Sequence, residues 1–571
     1  MYFIALATDY DGTLAHHGRV GVQTIAALER LRASGRKLLM VTGRELPDLK
    51  RVFDRFDLFD VVVAENGSLL YFPETQEERL LALAPPAELV NALRDRGVHP
   101  MSTGRGIIAT WEPNEATVLS CIHELGLEWQ ITFNKGAVMV LPAGVNKATG
   151  LAAALDALLL SNLNVLAIGD AENDHAFLIA SGCSVAVANA LEAVKKNADV
   201  VTLGDHGAGV VELIDTLLSD EQFFIARAAE RRKIMLGKDE AAALYPEHGG
   251  VLIAGSSGIG KSTLATALME KLVAQGFQVC VLDPEGDYDD LQDAIVLGGA
   301  ERAPVVEEVL DILRKPVANT LVVDMLGVPL PERPSFFTAL LSPILQMRSQ
   351  TGRPHWLVID EAHHMLPAGL ETADSGIPEA ISAAIYVTVH PEAMRPKVLA
   401  GVRTVIAVGR QANEVVASFC GAIAIAIPAL PPMGGEDQVL FWDRGLDAPP
   451  RWISVDRPQQ EHKRHTRKYA EGQLGEDESF YFRGPEGALN LRAQNLMIFL
   501  QMMDGVDDAT WMHHLQRGDY ARWFREAIKD EELADEAEGV QHGADPVKTR
   551  EQIRAMVERR YTAPARASSA V

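Results

Sequence analysis

The chain reads as a multidomain α/β protein: a Rossmann-like core with a small α/β cap, a second parallel-sheet domain, then a mainly helical C-terminal module. Three observations predict this. From residue 1 to about 218, the runs KLLMVTGR, DVVVAENGSLLYF, NVLAIGDAEND and CSVAVANA each end in a polar turn and alternate with amphipathic stretches. Such alternation places strands in a parallel sheet with helices on both faces. A second alternating set follows between about 246 and 455, with GVLIAGSS, QVCVLDPEG, NTLVVDM, HWLVIDEAHH, AAIYVTVH and RTVIAVGR. Beyond about 456 the chain turns charged and helix-prone with scattered aromatics, and the tail ARASSAV is expected to fray.

Within the first region the pattern weakens between about 83 and 139, where HPMSTGRG and TWEPNEA multiply the turns, so an inserted small domain is expected there. Residues 219–245 read as a charged helical connector, and PALPPMGGEDQ breaks the second pattern at 428–438. The four cysteines of the 571 residues never form a C-x-x-C pair, which leaves no spacing for a zinc site or a disulfide framework. No apolar run nears the roughly 20 residues that span a bilayer, and MYFIALATDYDG lacks the basic start of a signal peptide. A cytoplasmic protein without membrane contact is expected. With 53 basic against 78 acidic residues the net charge is −25, which disfavours nucleic acid as a partner overall. The runs HKRHTRK (462–468) and ERRK (230–233) are the conspicuous positive clusters, and such clusters are most often solvated faces.

The chemistry begins with DYDGTL, which places Asp9 and Asp11 at the end of the first strand, where open parallel sheets put their ligands. Two carboxylates one residue apart repel unless a cation lies between them. Thr42 in VTGR, Lys147 in GVNK, and Asp170, Asn173 and Asp174 in GDAEND follow in order at later turns. This set resembles the haloacid dehalogenase-type phosphatases over about 1–218, and ENGSLLY with the insertion resembles their Cof-like, subfamily IIB branch. The resemblance implies attack on phosphorus by Asp9 through an aspartyl-phosphate and general acid–base work by Asp11. Thr42 and Lys147 would stabilise the phosphoryl oxygens. Mg²⁺ would be held by Asp9, Asp11 and Asp170, with Asp174 at or behind the metal and Asn173 orienting the site. Arg44 is either a substrate contact or a structural ion pair. A small phosphosugar or phosphoacid is the implied substrate class.

In the second region GSSGIGKS fits G-x-x-x-x-G-K-[ST], between a strand and the helix STLATALMEKLVAQ. Backbone N–H groups of Gly255, Ser256, Ser257, Gly258, Ile259, Gly260 and Lys261 would cradle the phosphates of ATP, with Ser262 on Mg²⁺ and Thr263 beside it. Asp360 ends the apolar strand of HWLVIDEAHHM and would hold the Mg²⁺ shell, and Glu361 is placed to activate water, an arrangement for hydrolysis. With DPEGDY (283–288), the region about 246–455 resembles the HerA–FtsK branch of ATPases. That resemblance implies a γ-phosphate sensor where His390 stands, a possible homo-oligomeric ring, and an arginine, Arg403 or Arg410, reaching a neighbour's site. In the C-terminal module Trp511, Tyr520, Trp523 and Phe524 recur at helical spacings and predict an aromatic core, and adjacent His513 and His514 are poor joint metal ligands.

The expectation is thus a phosphatase fused to an ATP-hydrolysing domain. Two alternatives stay open: a nucleic-acid translocase whose attached phosphatase acts on nucleotides or ends, and a kinase opposed to the phosphatase on one metabolite.

Overall fold

A computed structural model describes residues 1–239, 242–245, 249–256, 259–289, 291–315, 319–369, 378, 380–435, 437–446, 448–459, 474, 479–487, 489–528, 530–540 and 545–560. The basic run 462–468 lies outside these residues, as do Ser257 and Gly258 of the phosphate-binding motif.

The front sheet has eight strands in the order Val200–Val201, Cys183–Ala186, Val165–Gly169, Ala5–Thr8, Lys37–Val41, Val61–Ala64, Leu69–Phe72, Glu77–Leu80. The first six run parallel and the last two fold back as a meander. Its central strands are apolar on both faces because helices cover both, so ALAT, VVVA and VLAIG are buried throughout. Between Leu80 and Lys147 a four-stranded antiparallel sheet, ordered Trp129–Asn134, Ala137–Pro142, Ile108–Trp111, Ser102–Thr103, forms the cap with its own core around Leu89, Ile108, Val118 and Val140.

The rear sheet has nine strands: Ala294–Gly298, Thr320–Asp324, Val279–Asp283, Trp356–Ile359, Ala384–Thr388, Gly250–Ala254, Val402–Val408, Gln438–Asp443, Arg451–Ser454. All are parallel up to Val402–Val408, and the last two pair antiparallel. Five helices from Leu496–Gly505 to Pro546–Arg560 build the C-terminal core. Trp511, Tyr520, Trp523 and Phe524 are all buried there, and the Trp511 and Tyr520 rings stack 4.5 Å apart. His514 accepts the Arg483 N–H at Nε2 and donates from Nδ1 to Asp519 Oδ2 (2.8 Å), and it is buried where His513 is not. No helix among the described residues is long and apolar enough to cross a membrane.

The stretch expected as a connector does more than connect. Helix Glu221–Arg232 buries Phe224, Ile225 and Ala228 in the front core. Its ERRK end is not a solvated basic face. Arg231 pairs with Asp199, buried Arg232 donates to the carbonyls of Leu163 and Ser181, and Lys233 pairs with Glu230.

The two large sheets meet at the ends where their strands begin. Ser161, Leu163 and Asn164 lead into Val165–Gly169, and Leu163 is buried in the rear cluster with Ile234, Phe277 and Val279. The Ser161 amide donates to the Thr351 carbonyl, and His355 bridges the Ser161 hydroxyl and the Gln278 amide. A cleft of about 330 Å³ lies along this seam.

Candidate functional site

The front site forms where strands end, beneath the cap. Asp9 follows Ala5–Thr8, and its amide donates to the Ile168 carbonyl of the neighbouring strand. Asp170 follows Val165–Gly169 directly. Lys147 opens helix Lys147–Ala157, whose start is fixed by Asn146: its side chain accepts from the amides of Ala148 and Thr149, and Thr149 Oγ1 accepts from the Asn146 amide. That cap docks against the ENG turn. Glu65, Asn66 and Gly67 have φ of 51°, 54° and 106°, and a Cβ on Gly67 would stand 1.9 Å from the Asn146 carbonyl oxygen. Only glycine lets the turn lie there.

Lys147 Nζ stands 2.6 Å from Asp9 Oδ1 and 2.5 Å from Asp174 Oδ1. Asp174 Oδ2 accepts the amides of Asp170 and Ala171, so both of its oxygens are engaged. Thr13 Oγ1 donates to Asp170 Oδ1, and Lys135 from the cap meets Asp170 Oδ2. Burial raises the Asp9 carboxyl well above its ordinary range, Asp174 adds to this, and Lys147 only partly offsets it. Burial alone would lower Lys147, but Asp174 and Asp9 outweigh it and keep the ammonium charged. Oxygens of Asp9, Asp170 and Asp174 all lie within 4.8 Å of one another. Clustered buried carboxylates with too little positive charge among them are a donor set that fits a hard divalent cation such as Mg²⁺.

Arg44 does not point at open space. It grips Asp11 with Nε at 2.6 Å and Nη2 at 2.8 Å and holds Asp48 with Nη1. Buried Thr42 accepts the Arg44 amide at Oγ1, beside Asn66 and Asn173, whose carboxamides join at 3.0 Å.

The rear site likewise lies at the carboxyl ends of its strands. Gly255 and Ser256 follow Gly250–Ala254, Gly260 takes φ 97°, and helix Lys261–Ala274 starts with Lys261, Ser262 and Thr263. Lys261 Nζ donates to the Ser256 carbonyl at 2.7 Å across the loop, and Ile259 packs against Gly409. The described loop with its helix N-terminus suits polyphosphate, which is the fit expected for ATP. Asp360 is buried, and burial with Glu361, Asp287 and Asp283 nearby raises its carboxyl. Asp283 is pushed up to about 7, chiefly by burial. Glu361 takes φ 41°, and its Oε2 lies 3.4 Å from His363 Nδ1, which also meets Thr388 Oγ1 at 3.0 Å. Thr388 ends the strand beside the phosphate loop, in register with Ala254. His390 lies two residues further on, more than half exposed, against Glu392. Arg403 is held by Asp443 within the sheet, and Arg410 follows Gly409 at the loop's edge.

Residues 6–106 and 121–214 match the model of the haloacid dehalogenase-like hydrolases. The chain is 30% identical over 224 residues to phosphoglycolate phosphatase 2 of Saccharolobus solfataricus, covering 93% of that protein and 38% of this chain. The chain belongs to the haloacid dehalogenase-like hydrolases. To the phosphoglycolate phosphatase of Methanothermobacter thermautotrophicus this hydrolase is 31% identical over 219 residues, 96% of that protein and 37% of this chain. A haloacid dehalogenase-like hydrolase of Bacteroides thetaiotaomicron is among the similar solved structures, 21% identical over 38% of this chain and 99% of that one, with a TM-score of 0.33. Residues 247–341 match the model described as Helicase HerA, central domain, so the hydrolase carries a HerA-like domain behind its own core.

Sequence reasoning missed four participants of these sites. Lys135 and buried Glu65, which accepts the Gly106 amide, join core to cap. Thr388 and His363 stand beside Glu361. The first histidine of DEAHH, His363, is marked only by its nearness to Glu361 in the sequence, whereas a lone lysine in a turn, FNKG, carries no signal.

Proposed function

We propose that the front site is a Mg²⁺-dependent phosphomonoester hydrolase working through an aspartyl-phosphate on Asp9, and that the rear site hydrolyses ATP. The observation that carries the first part is Lys147 tied to both Asp9 and Asp174 beside Asp170, all buried under a cap. Asp9 attacks phosphorus, the ester oxygen leaves as the alcohol with a proton from Asp11, and Asp11 then takes a proton from the water that releases phosphate from Asp9. Arg44 holds Asp11 over the site. Lys147 and Thr42 meet the phosphoryl oxygens, while bound Mg²⁺ would neutralise their charge. The curated relatives are named for phosphoglycolate, so a short phosphorylated acid is the substrate to try first.

In the rear site Lys261 and the loop amides would bind the β- and γ-phosphates, Ser262 and Asp360 would hold Mg²⁺, and Glu361 would polarise water. His390 is retained as the sensor proposed from its place after the strand, with Thr388 nearer the loop. The division at 218, 245 and 455, a ring of copies, and a cytoplasmic setting belong to the same reading. The ATP-binding part of it is supported by the described loop geometry and by the HerA-like match.

The test is phosphate release with Mg²⁺ from ATP alone and from a panel of phosphomonoesters, for wild type, Asp9→Asn and Lys261→Ala. Each variant should lose one activity and keep the other. Loss of both in either variant, or release from neither substrate by wild type, refutes the reading.

A further inference from the structure

The cap strands Trp129–Asn134 and Ala137–Pro142 pair through to Asn134↔Ala137, so Lys135 and Gly136 alone make the turn, with φ of 48° and 86°. Two successive positive φ values are the tight hairpin turn that follows strand twist, and they fix the direction of the Lys135 side chain. Its ammonium reaches fully buried Asp170 across the cleft, yet 45% of the side chain stays exposed. A Cβ on Gly12 would stand 2.8 Å from Nζ and 2.3 Å from Asp170 Oδ2, so glycine in DYDGTL is what admits the lysine. Met139, four residues along the same hairpin, covers Gly43 of VTGR. The hairpin therefore delivers one cation from the cap to Asp170, where Lys147 meets Asp9 and Asp174.

Those positions divide the work. Lys147, buried beside Asp9, serves the phosphoryl group. A phosphoester seated on Asp9 extends its alcohol part away from the core, toward the cap, from which Lys135 projects, while Arg44 is taken up by Asp11 and Asp48. Asp170 Oδ1 accepts from Thr13 and Oδ2 meets Lys135, so a divalent cation on Asp170 would compete with the ammonium for the same carboxylate. The ammonium, nearly half exposed, is then open to another anion within a lysine's reach.

We propose that Lys135 is a specificity residue that binds a carboxylate, or an equally small anionic group, on the alcohol part of the substrate. This rests on the phosphatase reading above. Oxygens of Asp9 and Asp170 lie within 4.8 Å of each other, so an ammonium at Asp170 serves an anionic group close to the ester oxygen, as in a short phosphorylated acid.

The test uses the full chain with Lys135→Met, which keeps the stem, and Lys135→Arg, which keeps the charge. Steady-state hydrolysis of 2-phosphoglycolate is compared with that of p-nitrophenyl phosphate, whose leaving group has no carboxylate. Lys135→Met should raise KM for phosphoglycolate about tenfold or more, leave kcat/KM for p-nitrophenyl phosphate within about threefold, and be largely rescued by arginine. Without substrate, Mn²⁺ titration should show tighter binding in Lys135→Met, since the ammonium no longer competes for Asp170. Equal losses on both substrates, or weaker Mn²⁺ binding in Lys135→Met, overturn the proposal while leaving the phosphatase reading intact. If wild type hydrolyses neither substrate, both fall.

Discussion

Replacing His355 by alanine removes a buried imidazole from the seam between the two sheets. Its Nδ1 lies 2.7 Å from the Gln278 amide and so accepts, which leaves the proton on Nε2, 2.7 Å from the Ser161 hydroxyl. Burial holds the ring well below its ordinary pKa, and Arg353, Arg348 and Arg232 push the same way. Without the ring, the Gln278 amide loses its acceptor at a cost of about 1–3 kcal/mol, and an emptied ring-sized space adds about 1–2 kcal/mol. The pH dependence has a definite sign. The unfolded chain takes a proton near pH 6.5 and the folded chain refuses it, so this contribution is complete above that pH and is lost as pH falls through it. By pH 5.5 the loss reaches about 1.4 kcal/mol. The alanine variant has no such group, so its deficit relative to wild type should shrink by that amount between pH 7.5 and 5.5. Hydrogen exchange in peptides spanning 161–165 and 278–282 reads opening of the seam without assuming that the whole chain unfolds in one step. A deficit unchanged by pH would refute the neutral, proton-refusing imidazole.

Three further outcomes are expected. Gly67→Ala should cost about 2–4 kcal/mol from its positive φ and the clash with the Asn146 carbonyl, and should lower phosphate release because that carbonyl belongs to the cap placing Lys147; thermal melts and kinetics check both. Arg44→Leu should lower kcat for phosphomonoesters about 10–100-fold by releasing Asp11, with under about 1 kcal/mol lost in stability because the pair is partly exposed; kcat near wild type would argue against Asp11 as the acid. Trp511→Ala should cost about 3–5 kcal/mol and melt the C-terminal helices, since the indole is fully buried, stacks on Tyr520 and donates to Thr549. Phosphate release by Asp9 chemistry should persist in that variant.

What the sequence displayed well was whatever sits next to its own strand in the chain. Asp9, Thr42, Asp170 and Asp360 each follow an apolar run within a residue or two, so strand ends and their carboxylates were legible together. Contacts that cross from one element to a distant one were not. Lys135 reaches Asp170 over 35 positions, and nothing in FNKG marks that turn as facing the core. The resemblance puts a γ-phosphate sensor at His390, just past this strand, whereas the place of Thr388 beside the loop is legible only from its register with Ala254. The ERRK run shows the converse: composition marks a basic cluster, and burial of Arg232 under two carbonyls is set by tertiary packing.

The seam also decides how the two sites can communicate. Ser161 to Asn164 precede the strand that ends at Asp170, and His355 precedes the strand that ends at Asp360. Phe277 and Gln278, Met1 and Tyr2, and Ser382 and Ala383 at the same seam likewise precede strands. Each reacting end therefore lies a full strand away from the seam, about 13–17 Å at the rise of an extended chain, on opposite sides of it. No phosphoryl group on the loop at Lys261 can approach Asp9 without leaving the protein. With ATP labelled in its γ-phosphate, the label should appear only as free phosphate, and the acid-precipitated chain should carry none above the Asp9→Asn control. Label on wild type that vanishes in Asp9→Asn would mean the front site takes phosphate from the rear one, and the back-to-back arrangement of the two sheets would then be wrong.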